Sequence, residues 1–195
     1  RLAEVALMTA TAALCSAGQS LLAVVDTQTK LAAAMPPTKR DEILRNTAIL
    51  LQAAGLLNLP VLITEQYPKG LGKTEAALTQ HLPPATPVIE KTCFSCCGAA
   101  DFMEAVRRSR RNQIILAGME AHVCVLQTAL ELQSTNTQVF VAEDAVCSRR
   151  MRNKTNALAR LRNAGVIVTN TESLLFEWLR DARHEHFKTI SALIR

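Results

Sequence analysis

At 195 residues, with 49% hydrophobic residues and a formal charge of +5, the chain has the length and apolar content for one domain with a substantial core. Aromatic residues are only 4%, so that core must be built from Leu, Val, Ile and Ala. No stretch reaches the roughly 18 consecutive apolar residues of a membrane-spanning helix, and six cysteines in a chain this size do not make a disulfide framework.

The opening is Ala-rich, carries Glu4 within its apolar run and lacks the pattern of a secretory signal. Residues 1–19 are read as an N-terminal extension of a single domain spanning 1–195. The expected compartment is reducing and intracellular: cytoplasmic, or mitochondrial if a presequence has been removed.

The first strong element is Leu21-Leu22-Ala23-Val24-Val25, an unbroken apolar run that ends at Asp26. Such a run predicts a strand buried on both faces. Thr38-Lys39-Arg40-Asp41 has the form of a capping box, and Ile43, Thr47, Leu50 and Ala54 follow at helical spacing up to Gly55. Pro60 to Thr64 predicts a second strand, and Pro87 to Glu90 a short third one leading to Lys91. A helix over 101–111 precedes a strand over 113–117, and a helix over about 120–133 precedes a strand over 138–142. Ser148 opens a basic helix closed by Gly165, and 166–169 is the sixth strand. Leu174, Leu175, Trp178 and Leu179 mark one further helix face, and Phe187, Ile190, Leu193 and Ile194 another. Short apolar strands alternating with helices predict parallel βαβ units, giving an α/β three-layer αβα sandwich on a six-stranded, doubly wound sheet.

The positive charge lies mostly in two runs, Arg107-Arg108 with Arg110-Arg111, and Arg149, Arg150, Arg152 and Lys154. Neither is interleaved with aromatics, so both read as solvated faces with no specific nucleic-acid partner. Cys93-Phe94-Ser95-Cys96-Cys97 has no second CxxC and no HxxxH to complete a zinc site, and reads as buried or half-buried thiols. GxSxG, GxGxxG and Walker patterns are absent from the sequence.

Parallel strands present their carboxyl ends along one edge, where ligands bind. Asp26, Lys91 and the segment Gly118 to Cys124 all fall just past strand ends. Each has a structural reading when taken singly: a cap, a solvated amine, a small core residue. Together at one edge they compose a thiol with an acid and a base. Helix-start N–H groups and Lys91 favour the thiolate of Cys124, while an ionised Asp26 opposes it. His122 is no partner for Cys124, because residues i and i+2 of a helix do not face one another.

With these residues the chain resembles the isochorismatase-like cysteine hydrolases, from about Leu21 to Arg195. The stretches are Val24-Val25-Asp26-Thr27-Gln28, Glu90-Lys91-Thr92 and Gly118-Met119-Glu120-Ala121-His122-Val123-Cys124. Thr64-Glu65-Gln66-Tyr67-Pro68-Lys69-Gly70-Leu71-Gly72 and Lys91-Thr92-Cys93-Phe94-Ser95 resemble the isochorismatase domain-containing subgroup. The resemblance implies the isochorismatase-like hydrolase fold and an Asp–Lys–Cys triad. Cys124 would be the nucleophile, Asp26 the acceptor of its proton and Lys91 the supporting cation. The triad would act on a small carboxamide or related C–N bond through an acyl thioester. It also implies a cis Met119–Glu120 peptide, an oxyanion hole from the N–H groups of Glu120 and Cys124, and a homo-oligomer.

Gln28, Tyr67 and Phe94 are candidates for the wall of a small-molecule pocket. Where nicotinamidases of the family carry an Asp-x-His metal set, this chain reads Thr64-Glu65-Gln66-Tyr67. Neither a metal nor another cofactor is therefore implied. The competing reading is a catalytically idle member of the fold that acts as a binding or scaffold protein. A third, nucleic-acid binding or cleavage, rests on the basic runs alone.

Overall fold

The computed structural model describes residues 14–195. Six strands form one all-parallel sheet: β1 Ser20–Val25, β2 Val61–Gln66, β3 Val88–Lys91, β4 Gln113–Met119, β5 Gln138–Cys147 and β6 Ile167–Thr169. Their order across the sheet is β3-β2-β1-β4-β5-β6. This is the doubly wound order, and its reversal point lies between β1 and β4.

The helices are α1 Thr29–Ala33, α2 Pro37–Leu56, α3 Pro68–Leu71, α4 Ala76–Thr79, α5 Ala100–Ser109, α6 Leu126–Gln133, α7 Met151–Asn163, α8 Thr171–Leu179 and α9 Phe187–Ala192. They form two layers, and the two-residue period of the strands assigns side chains to each. Leu21, Ala23 and Val25 of β1 pack with Phe102 of α5, Leu126 of α6 and Leu158 of α7. Leu22 and Val24 of the same strand pack on the opposite face with Leu50 of α2, Leu174 of α8 and Ile190 of α9. All of β1 is buried, and each large aliphatic side chain contributes about 1.5–3 kcal/mol by leaving water.

The apolar runs locate all six strands, but several boundaries differ from expectation. The basic helix starts at Met151 and not at Ser148, whose hydroxyl meets His122, and the helix expected from about 120 is a π turn as far as Val125. The capping box expected at Thr38 is not made: α2 begins at Pro37, with no side-chain cap. Proline's fixed φ suits the first helical position, and starting there leaves Thr38 inside the first turn. β5 runs past Ala142 to Cys147, because its register against β4 jumps from Leu116↔Val141 to Gly118↔Val146. Glu143 and Asp144 occupy that irregularity, which is why their charges did not end the strand.

Of the expected extension, residues 1–13 lie outside the described residues. Residues 14–19 lie against the body of the domain. Cys15 is fully buried, its N–H donates to Glu177 at 2.6 Å, and its carbonyl accepts from Arg180 at 2.8 Å.

Candidate active site

Asp26 follows the last residue of β1 and has a left-handed backbone, φ +48°. This conformation is uncommon outside glycine but tolerated by Asp. Its carboxylate is fully buried and held on both oxygens: Thr64 Oγ1 donates to Oδ1 at 2.7 Å and Lys91 Nζ to Oδ2 at 2.7 Å. Lys91, the last residue of β3, also donates to Gln66 Oε1 at 2.7 Å and to the carbonyls of Cys93 and Phe94 at 3.1 Å each. Four acceptors surround an ammonium that has three protons, so Lys91 is saturated by the protein and acts as a fixed charge. Burial alone would lower its pKa, but Asp26 and the neighbouring thiols outweigh that and raise it.

Cys124 lies in a single wide turn of π type, Ala121–Val125, between β4 and α6. Such turns are frequent at functional sites. The Glu120 carbonyl accepts from the N–H groups of Val123 (3.0 Å) and Val125 (3.3 Å), and the Met119–Glu120 peptide is cis. The thiol is nearly buried, close enough to Asp26 for the carboxylate to act on its titration. Burial first, and the Asp26 charge second, hold its pKa well above the ordinary thiol value, with Lys91 pulling the other way. The expected balance is thus reversed at rest. Desolvation and the Asp26 charge outweigh the ammonium and favour the protonated sulfur.

Gly118 explains how β4 comes close enough. A side chain there would place its Cβ 2.0 Å from the Val25 carbonyl oxygen, and its φ is +119°. The turn beyond it is fastened to the start of the β5–α7 loop. Arg149 donates to the Glu120 carboxylate from its backbone N–H at 2.9 Å and from its guanidinium at 3.1 Å. His122 meets Ser148 Oγ through Nδ1 at 2.9 Å and Asn153 through Nε2 at 3.2 Å. Both of its ring nitrogens are therefore engaged away from Cys124.

A cleft of about 470 Å³ opens at Lys91, with Tyr67, Lys69, Glu90, Thr92 and Cys93 in its wall; Asp26 and Cys124 do not line it. Tyr67 is half exposed, and its ring lies over Gly70, where any side chain would collide with it. Two of the three residues expected in the pocket wall are placed otherwise. Gln28 is fully buried, its amide donating to the carbonyls of Gln66 (3.0 Å) and Gly72 (2.7 Å) and accepting from the Gln66 N–H (2.7 Å). With its hydrogen-bonding groups spent on the backbone, it serves as a loop brace. Phe94 is exposed outside the cleft lining and meets the site through its carbonyl on Lys91.

Thr64, Gln66 and Arg149 were not singled out from the sequence. The signal for the first two was strand register: Thr64 pairs with Val25, and Gln66 with Lys91, across adjacent strands. Where a metal set would follow β2, Glu65 instead accepts from the Thr74 N–H and hydroxyl at 2.8 Å each and pairs with Lys73 at 3.2 Å. Gln66 is committed to Lys91 and to the Thr92 carbonyl. Among the described residues no group of three His, Cys, Asp or Glu stands where it could hold a metal ion.

Residues 20–173 match the family model described as Isochorismatase domain. Isochorismatase domain-containing protein 2A of Mus musculus is 40% identical over 155 residues, 79% of this chain and 73% of that one. Among solved structures, MAR1 ribonuclease from Caenorhabditis elegans superposes with a TM-score of 0.88 at 35% identity, covering 93% of this chain and 92% of its own. YcaC from Pseudomonas aeruginosa, described with hexane-2,5-diol and covalent acrylamide, gives 0.87 at 27%, covering 94% and 92%. The Escherichia coli YcaC product, described as an octameric hydrolase of unknown specificity, gives 0.86 at 25%, covering 93% and 89%. With the family model matched across most of its length and a relative at 40% identity over 79% of it, this chain belongs to the isochorismatase family.

Proposed function

We propose that the protein is a cysteine hydrolase of small carboxamides or related C–N bonds, with Cys124 as nucleophile. The observation that carries this reading is a saturated, fully buried Asp26–Lys91 pair set against a nearly buried thiol at the reversal point of the sheet. Burying an ion pair is costly, and here it stands beside a potential nucleophile.

In the proposed reaction the Cys124 proton moves to Asp26 as sulfur attacks the carboxamide carbon. The N–H groups of Glu120 and Cys124 receive the charge that develops on oxygen. Asp26 returns the proton to the departing nitrogen as the C–N bond breaks, leaving an acyl thioester. Water, deprotonated by Asp26, then attacks the thioester carbon; the C–S bond breaks, the acid leaves and Asp26 returns the proton to the Cys124 sulfur. Lys91 keeps its positive charge throughout and holds the carboxylate in place.

The cleft volume suits a small molecule. Self-association like that described for the Escherichia coli relative is part of the proposal. No metal enters it, because Glu65 and Gln66 are already committed to neighbours.

The test is hydrolysis of a panel of small amides with Cys124→Ala as the blank, with and without EDTA. The expected outcome is turnover that depends on Cys124 and survives the chelator. Equal turnover by Cys124→Ala, or loss in EDTA restored by zinc or iron, overturns the reading.

A second reading, action on RNA, is favoured by the name of the C. elegans relative and by the basic run at Arg149, Arg150 and Arg152. That run follows β5 and so lies at the carboxyl edge of the sheet, as the thiol does.

A further inference from the structure

Asp26, Lys91 and Cys124 leave unexplained a buried polar pair beside them, Thr64 and Cys96, both fully buried. The Thr64 hydroxyl stands 2.7 Å from Asp26 Oδ1. A hydroxyl has one proton to donate and two lone pairs to accept with. Two donors approach this one: the Asp26 N–H at 3.3 Å, shared with the Thr64 carbonyl at 3.1 Å, and the Cys96 thiol at 3.7 Å. Burial, followed by the Asp26 charge, pushes the Cys96 thiol up to about 11, so near neutral pH it remains a protonated donor. With both lone pairs approached by donors, the Thr64 proton is directed to Asp26 Oδ1. Cys96 is itself fixed, since its N–H donates at 2.9 Å to Thr128 Oγ1, one helical turn beyond Cys124.

We propose that Thr64 and Cys96 are positioning residues of the site, a thiol–hydroxyl chain that locks a hydrogen bond onto Asp26 and limits how strongly that carboxylate draws the proton from Cys124. This rests on the Asp–Lys–Cys reading above. A hydrogen bond donated to a carboxylate favours its charged form. The hydroxyl therefore opposes the step in which the Cys124 S–H bond breaks, the electron pair stays on sulfur and an O–H bond forms on Asp26. The ionisable groups facing Asp26 are Lys91 from β3, Cys96 from the turn before α5 and Cys124 from the turn after β4. Thr64 is an uncharged donor among them, so removing its hydroxyl alters the proton balance without altering net charge.

The experiment is the pH dependence of Cys124 alkylation by iodoacetamide, read by peptide mass spectrometry on the whole chain, which needs no substrate. Thr64→Val keeps the shape and removes the hydroxyl. It should move the midpoint of the acidic rise up by about one pH unit and raise the plateau rate several-fold, because the thiolate–carboxylic acid form gains. Thr64→Ser should restore the wild-type profile. Cys96→Ala, which frees one lone pair of Thr64, should shift the midpoint the same way by less, and Cys96→Ser should not. A Thr64→Val profile that superimposes on wild type, or a Thr64→Ser shift as large, overturns the role of Thr64. Should Thr64→Val fail to fold, matching Cys96→Ala and wild-type profiles overturn the chain. A Cys124 profile unchanged by Asp26→Asn is a separate result, and it overturns the proton transfer on which the hydrolase reading stands.

Discussion

At the scale of single residues, the Asp26–Lys91 pair combines a large desolvation cost with complete hydrogen-bonding. Neither side chain touches solvent, and every Lys91 proton has an acceptor in the protein. Removing one partner leaves the other charge buried alone. Lys91→Met should therefore lower stability by about 3–5 kcal/mol in urea denaturation, and it should slow Cys124 alkylation because nothing then offsets the acid. Adding Asp26→Asn to Lys91→Met should recover part of the stability, whereas simple addition of the two single costs would show that the pair is uncoupled. The pair's pH window follows from the raised lysine pKa. Its contribution is fully present below the unfolded lysine value of about 10.4 and is lost as pH rises through the higher folded value. Asp26, Lys91 and Cys124 were visible as lone polar residues at the ends of apolar runs. Thr64 and Gln66 were not, because a threonine and a glutamine at a strand end look like ordinary surface chemistry until the neighbouring strand is known.

At the scale of elements, the site depends on how closely β1 and β4 approach at their carboxyl ends. Gly118 sets that approach, since a Cβ would sit inside the Val25 carbonyl and the backbone is in a region other residues avoid. Gly118→Ala should cost more than about 4 kcal/mol or prevent folding, as expected where strain and overlap with backbone coincide. A thermal or urea transition within about 1 kcal/mol of wild type, at the low end of ordinary substitutions, would show that the strands can separate without loss. The irregular register of β5 has a related consequence. By absorbing Glu143 and Asp144 it brings Val146 and Cys147 beside Gly118 and Met119, from where Ser148 and Arg149 reach His122 and Glu120. Apolar runs announced the strands, but an irregularity carrying two acids reads in sequence as the end of a strand.

At the scale of the whole molecule, the two basic runs have different positions. α5 begins after β3 at the carboxyl edge and ends just before β4 begins, so Arg107, Arg108, Arg110 and Arg111 gather at the amino edge, away from the thiol. Only the run after β5 shares the site's edge, and there Arg149 is already paired with Glu120. Binding to single-stranded RNA should accordingly be weak, insensitive to sequence and steeply reduced by salt. Any cleavage should be unaffected by Cys124→Ala, and cleavage that disappears with that substitution would overturn this. The sequence by itself determined the order of the strands along the chain, the burial of β1 on both faces and the three chemical residues at or just past strand ends, because those properties are written in local periodicity and composition. Strand order across the sheet and register were decided by tertiary structure alone. Thr64 is 38 residues from Asp26, and Lys91 is 65; such pairs meet only when the sheet is assembled. The upward pull on the Cys124 pKa comes from there too, because the desolvation behind it depends on everything packed around the thiol.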